Sequence, residues 1–177
     1  AEKRVVGGEV AATGKWPYFA IPIGSNDKGM FTRGCGATLI EDEWILTAAH
    51  CGVRGGDMAW IGAYNAGNSK EQAQIAECFS HPSYKWPVYD YALCRLEEPS
   101  DMPKVGIAPA NYEPGENEPM IVIGTGKTGE DKPTTNKVME VELPYRKKEV
   151  CEDRYGSFRR ESMLCAGGQA KDACKGD

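Results

Sequence analysis

Short apolar runs recur along the chain and are separated by glycine, proline, asparagine and aspartate. Each run is at most seven residues long, and many of its members are β-branched or aromatic. This pattern favours short strands of a sandwich or barrel over helices. The predicted strands lie in residues 19–24, 35–40, 44–50, 59–64, 76–80, 91–96, 120–126 and 138–144.

Two segments depart from the strand pattern. Residues 146–156 carry charges spread around a helical period and their last residue is a glycine, which predicts one short helix ended by Gly156. Residues 97–119 are rich in proline and acidic side chains and show no alternation. We interpret their central part, residues 101–118, as a linker between two β units.

Composition excludes several classes of function. The formal net charge of −5 gives no basic surface for nucleic acid, and it argues weakly against an anionic membrane surface. No run approaches the roughly 18 apolar residues of a membrane helix. No signal peptide is recognisable, but a removed signal leaves the same sequence, so this does not argue for the cytosol.

Seven cysteines are many for a chain of 177 residues. They are not spaced as zinc knuckles, and the histidines are His50 and His81, so a structural zinc site is not expected. Disulfides formed in an oxidising compartment are the better interpretation. Because seven is odd, at least one cysteine lacks a partner within these residues.

Two residues are candidates for acid–base chemistry. His50 ends an apolar run and precedes Cys51, so strand and disulfide would both fix its backbone, as a general base requires. Asp90 opens another apolar run, where a buried carboxylate could accept the imidazole N–H. Each residue alone also fits a structural histidine or a turn aspartate, and His81 is expected to be a surface turn histidine.

Five motifs occur in one order along nearly the whole chain, from Arg4 to Asp177: RVVGG, TAAHC, DYALCRL, MLCAGG and DACKGD. In this set and order the sequence resembles the trypsin-like serine proteases of the chymotrypsin fold. The resemblance implies an all-β protein of two six-stranded antiparallel β-barrels, the second incomplete in this chain. Residues 1–4 would be a propeptide remnant, 5–100 the first barrel, 101–118 the linker and 119–177 part of the second barrel.

The resemblance also implies roles for single residues. His50 would be the general base, Asp90 its orienting carboxylate, and Gly176 a backbone donor of the oxyanion hole. Asp172 would form the floor of a pocket for Arg or Lys side chains. Ala173 stands where many relatives have serine, which removes an acceptor for an ammonium group and favours Arg over Lys.

An activation switch is implied at the beginning of the chain. Cleavage after Arg4 would free the amine of Val5, which in the family pairs with the aspartate corresponding to Asp177 and orders the pocket. The alternative is a dibasic processing site without a switch. No calcium is expected, because Ala63 replaces the glutamate of calcium-binding relatives and Glu71 alone remains as an evident carboxylate ligand.

The family pattern pairs Cys35 with Cys51 and Cys151 with Cys165. Cys78 and Cys94 match no common family pair, but they fall in adjacent predicted strands and could form a cross-strand disulfide. The partner of Cys174 would lie downstream of residue 177.

In the family, the residue after Asp177 is the nucleophilic serine. The 177 residues given are therefore expected to be a fragment without peptidase activity, since the seven serines present lie in turn-like polar contexts. The parent would be a secreted, monomeric endopeptidase that cleaves after Arg or Lys and needs no metal or cofactor. Its partners would be protein or peptide substrates and protein protease inhibitors, with neither nucleic acid nor membrane. The alternatives are a non-catalytic homologue that binds or inhibits, and a nicked enzyme whose remainder is a second chain.

Overall fold

The computed structural model describes residues 8–26, 29–32, 34–65, 67–125 and 137–167. These residues form mostly β-structure, which agrees with the expected fold class. The strands are β1 (Glu9–Val10), β2 (Phe19–Asn26), β3 (Gly29–Thr32), β4 (Ala37–Glu41), β5 (Trp44–Thr47), β6 (Met58–Ile61), β7 (Glu71–Ser80), β8 (Ala92–Leu96), β9 (Pro119–Gly124) and β10 (Met139–Pro144). A 3₁₀ turn spans Ala49–Cys51, and the helix α1 spans Lys148–Arg154.

Six antiparallel strands close into a barrel in the order β2, β4, β5, β8, β7, β6, and β6 returns to β2. The closing pairs run from Ala20 opposite Ile61 to Ile23 opposite Met58. β3 extends the sheet as a hairpin on β2. Closure removes the free edges that an open sheet would expose, so the barrel strands satisfy one another's backbone groups.

The barrel interior is filled by alternate side chains from its strands. Ile45, Ile75 and Leu96 are fully buried members of this core, and each lies on a different strand. Residues next to other core positions, such as Leu93 beside Cys94 and Phe79 beside Cys78, are exposed. This period-two alternation is the pattern by which the apolar runs predicted strands.

A second sheet of three strands, in the order β1, β10, β9, lies beside the barrel. Met139, Val141 and Leu143 bury one face of β10. A shared cluster joins the two units, because Ile21 of the barrel and Val138 before β10 belong to the same buried group.

The segment that leads from the second sheet into the barrel is tied down by one buried carboxylate. Glu140 of β10 accepts hydrogen bonds from Lys15 Nζ at 2.5 Å and from Trp16 Nε1 at 2.6 Å. Ala11 N–H donates to the Val138 carbonyl, also beside β10. The N-terminal segment is therefore attached to the second sheet before the chain enters the barrel.

Several boundaries differ from the sequence predictions. The strand predicted through residue 50 ends at Thr47, because the chain turns into the 3₁₀ helix that carries His50. The helix ends at Arg154 rather than at Gly156, since Tyr155 already has extended backbone angles. No helix among the described residues is long and apolar enough to cross a membrane.

Candidate active site

His50 lies in the 3₁₀ turn that follows β5, where three connections hold the backbone. Cys51 is joined to Cys35 by a disulfide with Cα atoms 6.2 Å apart. The hydroxyl of Thr47, at the end of β5, donates a hydrogen bond to the Gly36 carbonyl at 2.8 Å. The left-handed Gly52, with φ of 60°, ends the turn by donating to the Ala49 carbonyl. The imidazole therefore projects from a fixed backbone.

Asp90 lies two residues before the first residue of β8 and contacts His50 twice. Its Oδ1 accepts the His50 backbone N–H at 2.8 Å, and its Oδ2 lies 2.6 Å from Nδ1 of the same residue. An ionised carboxylate can only accept, so Nδ1 carries the proton and Nε2 remains as an acceptor. The Asp90 side chain is 17% exposed and the His50 side chain 44%, so Nε2 can meet a ligand from solvent.

This pair can take up a proton at His50 Nε2 while Asp90 stabilises the resulting imidazolium. The two residues are forty positions apart, and barrel closure brings them together, because β5 pairs with β8 and places Thr47 opposite Ala92. His50 and Asp90 are the predicted site residues that the described structure joins.

Trp86 was not singled out in the sequence, yet its ring packs edge-on against the His50 ring with centroids 5.1 Å apart. Trp86 is 62% exposed, and the peptide bond between Trp86 and Pro87 is cis. The indole thus forms a wall on one side of the imidazole. The sequence shows only an aromatic residue four positions before Asp90. Its contact with His50 could not be predicted without the fold, which brings the two residues together.

Three disulfides are present among the described cysteines, and they coincide with the expected pairs. Besides Cys35–Cys51, Cys78 bonds Cys94 and Cys151 bonds Cys165. The last pair links α1 to the chain that follows it. Cys35, His50 and Cys51 lie close enough to suggest a metal cluster, but disulfide sulfurs carry no thiolate to bind zinc.

A cavity of about 460 Å³ lies between the barrel and β9. Cys35 and Gly36 line it from the barrel side, and Ile121 and Ile123 from the opposite side. Because Cys35 is bonded to the residue after His50, the cavity opens beside the segment that holds the imidazole.

The remaining predicted positions lie outside the described residues. They are Arg4 and Val5 of the activation junction, the pocket residues Asp172 and Ala173, Cys174, the oxyanion-hole Gly176, and Asp177.

Comparison with known families agrees with this fold and geometry. The family model described as Trypsin matches residues 5–177. A solved structure described as "Structure of GrC" superposes with a TM-score of 0.82 at 25% sequence identity, covering 93% of this chain and 76% of that chain.

Curated proteins give consistent matches, each covering 98% of this chain. "Transmembrane protease serine 11E" of Mus musculus is 33% identical, and the match spans 43% of its length. "Venom peptide isomerase heavy chain" of Agelenopsis aperta is 30% identical over 79% of its length. "Phenoloxidase-activating factor 3" of Holotrichia diomphalia is 31% identical over 58% of its length. The chain thus spans about half the length of two of these relatives.

Proposed function

Because the chain belongs to the trypsin family of serine proteases, we propose that it functions in the hydrolysis of peptide bonds after Arg or Lys through an acyl-enzyme. One observation carries this proposal. The Asp90 carboxylate lies 2.6 Å from His50 Nδ1 and also accepts the His50 backbone N–H. That arrangement supplies an oriented base with an acceptor lone pair at Nε2, which peptide hydrolysis by a serine nucleophile requires.

In the proposed reaction, the serine that the family places directly after Asp177 attacks the scissile carbonyl carbon. Its hydroxyl proton passes to His50 Nε2, and the Gly176 N–H donates to the carbonyl oxygen as it becomes negative. The carbon–nitrogen bond then breaks, and His50 returns the proton to the leaving amine. Water repeats the sequence to release the acyl group, with Asp90 stabilising the imidazolium in both steps.

Substrate preference is assigned to Asp172 and Ala173. A carboxylate at the pocket floor binds a guanidinium through two parallel hydrogen bonds, whereas an ammonium needs an additional acceptor. Ala173 offers no hydroxyl for that purpose, so Arg substrates are preferred over Lys substrates.

Activation is assigned to the junction between Arg4 and Val5. Cleavage there creates an ammonium group at Val5, and its ion pair with Asp177 orders the pocket and the oxyanion hole. The three disulfides support an oxidising, extracellular location. Protein or peptide substrates and protein protease inhibitors are the partners of the proposed monomeric enzyme.

The test uses the protein that continues past residue 177, after cleavage at Arg4. Chromogenic peptides ending in Arg, Lys or Phe should be hydrolysed in the order Arg, then Lys, with no cleavage after Phe. Asp90→Asn should lower kcat by about 10²- to 10⁴-fold because His50 loses its orienting acceptor. Asp153→Asn, an exposed carboxylate on α1, is the matched control and should leave kcat unchanged.

Absence of hydrolysis by the cleaved protein would overturn the proposal and favour the non-catalytic homologue, which binds its partners without cutting them. A Lys preference would overturn the role of Ala173 alone. The polypeptide of residues 1–177, which carries no serine after Asp177, is expected to show no hydrolysis in the same assay.

A further inference from the structure

The loop of residues 81–91 closes tightly on either side of Asp90. At its base, the His81 N–H donates to the Tyr91 carbonyl at 3.0 Å. The Tyr91 N–H donates to the Tyr89 carbonyl at 2.9 Å, so Asp90 is the central residue of a three-residue γ-turn. The direction of the Asp90 carboxylate therefore depends on how Tyr89 and Tyr91 are held.

Tyr89 has a φ of 54°, in the left-handed region that non-glycine residues rarely adopt. A bulky residue remains there only when its surroundings hold it, and such strain often occurs beside functional groups. The residue that follows this strained position is Asp90. The turn needs an external contact to keep Tyr89 in place.

One imidazole supplies that contact to both tyrosines. The His81 ring stacks on the Tyr89 ring with centroids 4.7 Å apart and planes 16° apart. It also packs against the Tyr91 ring at 4.8 Å. These separations are within the range in which aromatic rings attract one another. His81 thus lies between the two residues that flank Asp90.

The orientation of the His81 ring is itself fixed. Its Nδ1 accepts the Ser83 backbone N–H at 3.1 Å, and the residue is half-buried at the beginning of a turn, where the sequence predicts a turn histidine. The Tyr84 N–H also donates to the His81 carbonyl at 2.8 Å. Backbone and ring are both held, so the stack is a fixed support.

We propose that His81 is a positioning residue for Asp90: its ring holds Tyr89 in the left-handed conformation and thereby aims the carboxylate at His50. The kinetic consequence rests on the proposed peptidase function. The structural consequence, the orientation of the hydrogen bond from His50 to Asp90, can be measured whether or not the protein hydrolyses peptides.

The experiment compares His81→Ala with His81→Phe in the protein that continues past residue 177. Phenylalanine keeps the stacked ring but lacks Nδ1, whereas alanine removes both. The first readout is the low-field proton NMR signal of the Nδ1 hydrogen between His50 and Asp90. We expect this signal to remain in His81→Phe and to shift or broaden in His81→Ala.

The second readout is steady-state kinetics on an Arg substrate. His81→Ala should lower kcat by about 10- to 100-fold, as small displacements of catalytic groups do. The KM should change little, because His81 does not contact the peptide in the proposed reaction. His81→Phe should recover most of the loss, and Lys85→Ala, an exposed substitution in the same loop, should match the wild type.

A third comparison tests the backbone requirement. Tyr89→Gly should be less damaging than Tyr89→Ala, because glycine adopts a positive φ without strain and alanine does not. Equal losses in His81→Phe and His81→Ala would overturn the stacking role, and an unchanged NMR signal in His81→Ala would overturn the proposal. If the wild type hydrolyses no peptide, the peptidase assignment fails, and the NMR comparison still decides the role of His81.

Discussion

Cys78 and Cys94 lie directly opposite each other on β7 and β8, with Cα atoms 4.0 Å apart and a disulfide between them. Cys94 is fully buried, and Cys78 packs against the same interior cluster. The bond therefore lies inside the barrel, between strands that the backbone ladder already pairs.

Replacing Cys78 and Cys94 together by alanine should destabilise the protein by about 3 kcal/mol through loop-closure entropy alone, with a further loss from the emptied interior. Urea denaturation monitored by tryptophan fluorescence measures this change. The pair Cys35 and Cys51 is the control, since it has the same sequence separation of 16. We expect a smaller stability loss there but a larger loss of activity, because that bond holds His50. A larger stability loss from the control pair would contradict the interior role of the Cys78–Cys94 bond.

Glu140→Gln should destabilise the protein by about 1–3 kcal/mol, because a buried carboxylate that accepts two hydrogen bonds is replaced by a neutral amide. Most of this loss should come from the Trp16 contact, since the Lys15 side chain is 45% exposed and its ion pair is weakened by water. Denaturant unfolding measures the change.

Glu142→Gln is the matched control for this prediction, because Glu142 lies on the same strand and is exposed. Its free energy of unfolding should equal that of the wild type. Similar effects of the two substitutions would show that the Glu140 contacts do not stabilise the N-terminal segment.

The free energy of unfolding should fall at alkaline pH because Tyr145 is buried. Burial, with a smaller contribution from the hydrogen bond to Glu113, raises the pKa of Tyr145 from 10.0 to about 12. The unfolded chain loses this proton first, so the free energy of unfolding falls as pH rises from 10 to about 12. Tyr145→Phe should flatten the decline in this window, measured by urea denaturation below and above pH 10.

Tyr155→Phe, at a residue that is 50% exposed, is the control and should keep the decline of the wild type. Below pH 10, Tyr145→Phe should cost about 1 kcal/mol for the lost hydrogen bond to Glu113. A decline of the same slope in Tyr145→Phe and the wild type would contradict the assignment.

Gly55→Ala should destabilise the barrel by about 1–3 kcal/mol, as overpacking does. A Cβ at Gly55 would lie 2.4 Å from the Ala76 carbonyl oxygen, and backbone of β7 cannot move aside as a flexible side chain can. Gly106→Ala is the control, because a Cβ there meets nothing within 4 Å. Thermal unfolding of the two variants should give a lower Tm for Gly55→Ala only.

The sequence predicts strands well where an apolar run is buried in the barrel, and it fails where a strand is mostly polar. The apolar run that begins at Phe19 is readable because its first six residues are buried. The first half of β7 was missed, since Ile75 is its one fully buried residue and the polar Gln72 and Gln74 precede it. β3 was missed because it is a short hairpin strand, and among the described strands it pairs with β2 alone.

The site was readable only in part. The motifs around His50 and Asp90 identified both residues through the family resemblance, but no local pattern states that residues forty positions apart share a hydrogen bond. The His81 stack was missed for the same reason. Tyr89 and Tyr91 look like isolated aromatics in the sequence, and the return of the loop brings both onto one imidazole.

Because β1 pairs with β10, residues 9–10 belong to the three-stranded sheet. The chain then forms the barrel with β2 to β8 and re-enters the three-stranded sheet at β9. Among the described residues, the backbone therefore passes between the units twice, through residues 11–18 and through residues 97–118. A single cut in the second crossing would therefore give two pieces, because the disulfides Cys35–Cys51 and Cys78–Cys94 lie before it and Cys151–Cys165 lies after it. The pieces would be held by the pairing of β1 with β10 and by the Glu140 contacts, so the nicked molecule should migrate as one particle in native buffer and separate in denaturant without a reductant.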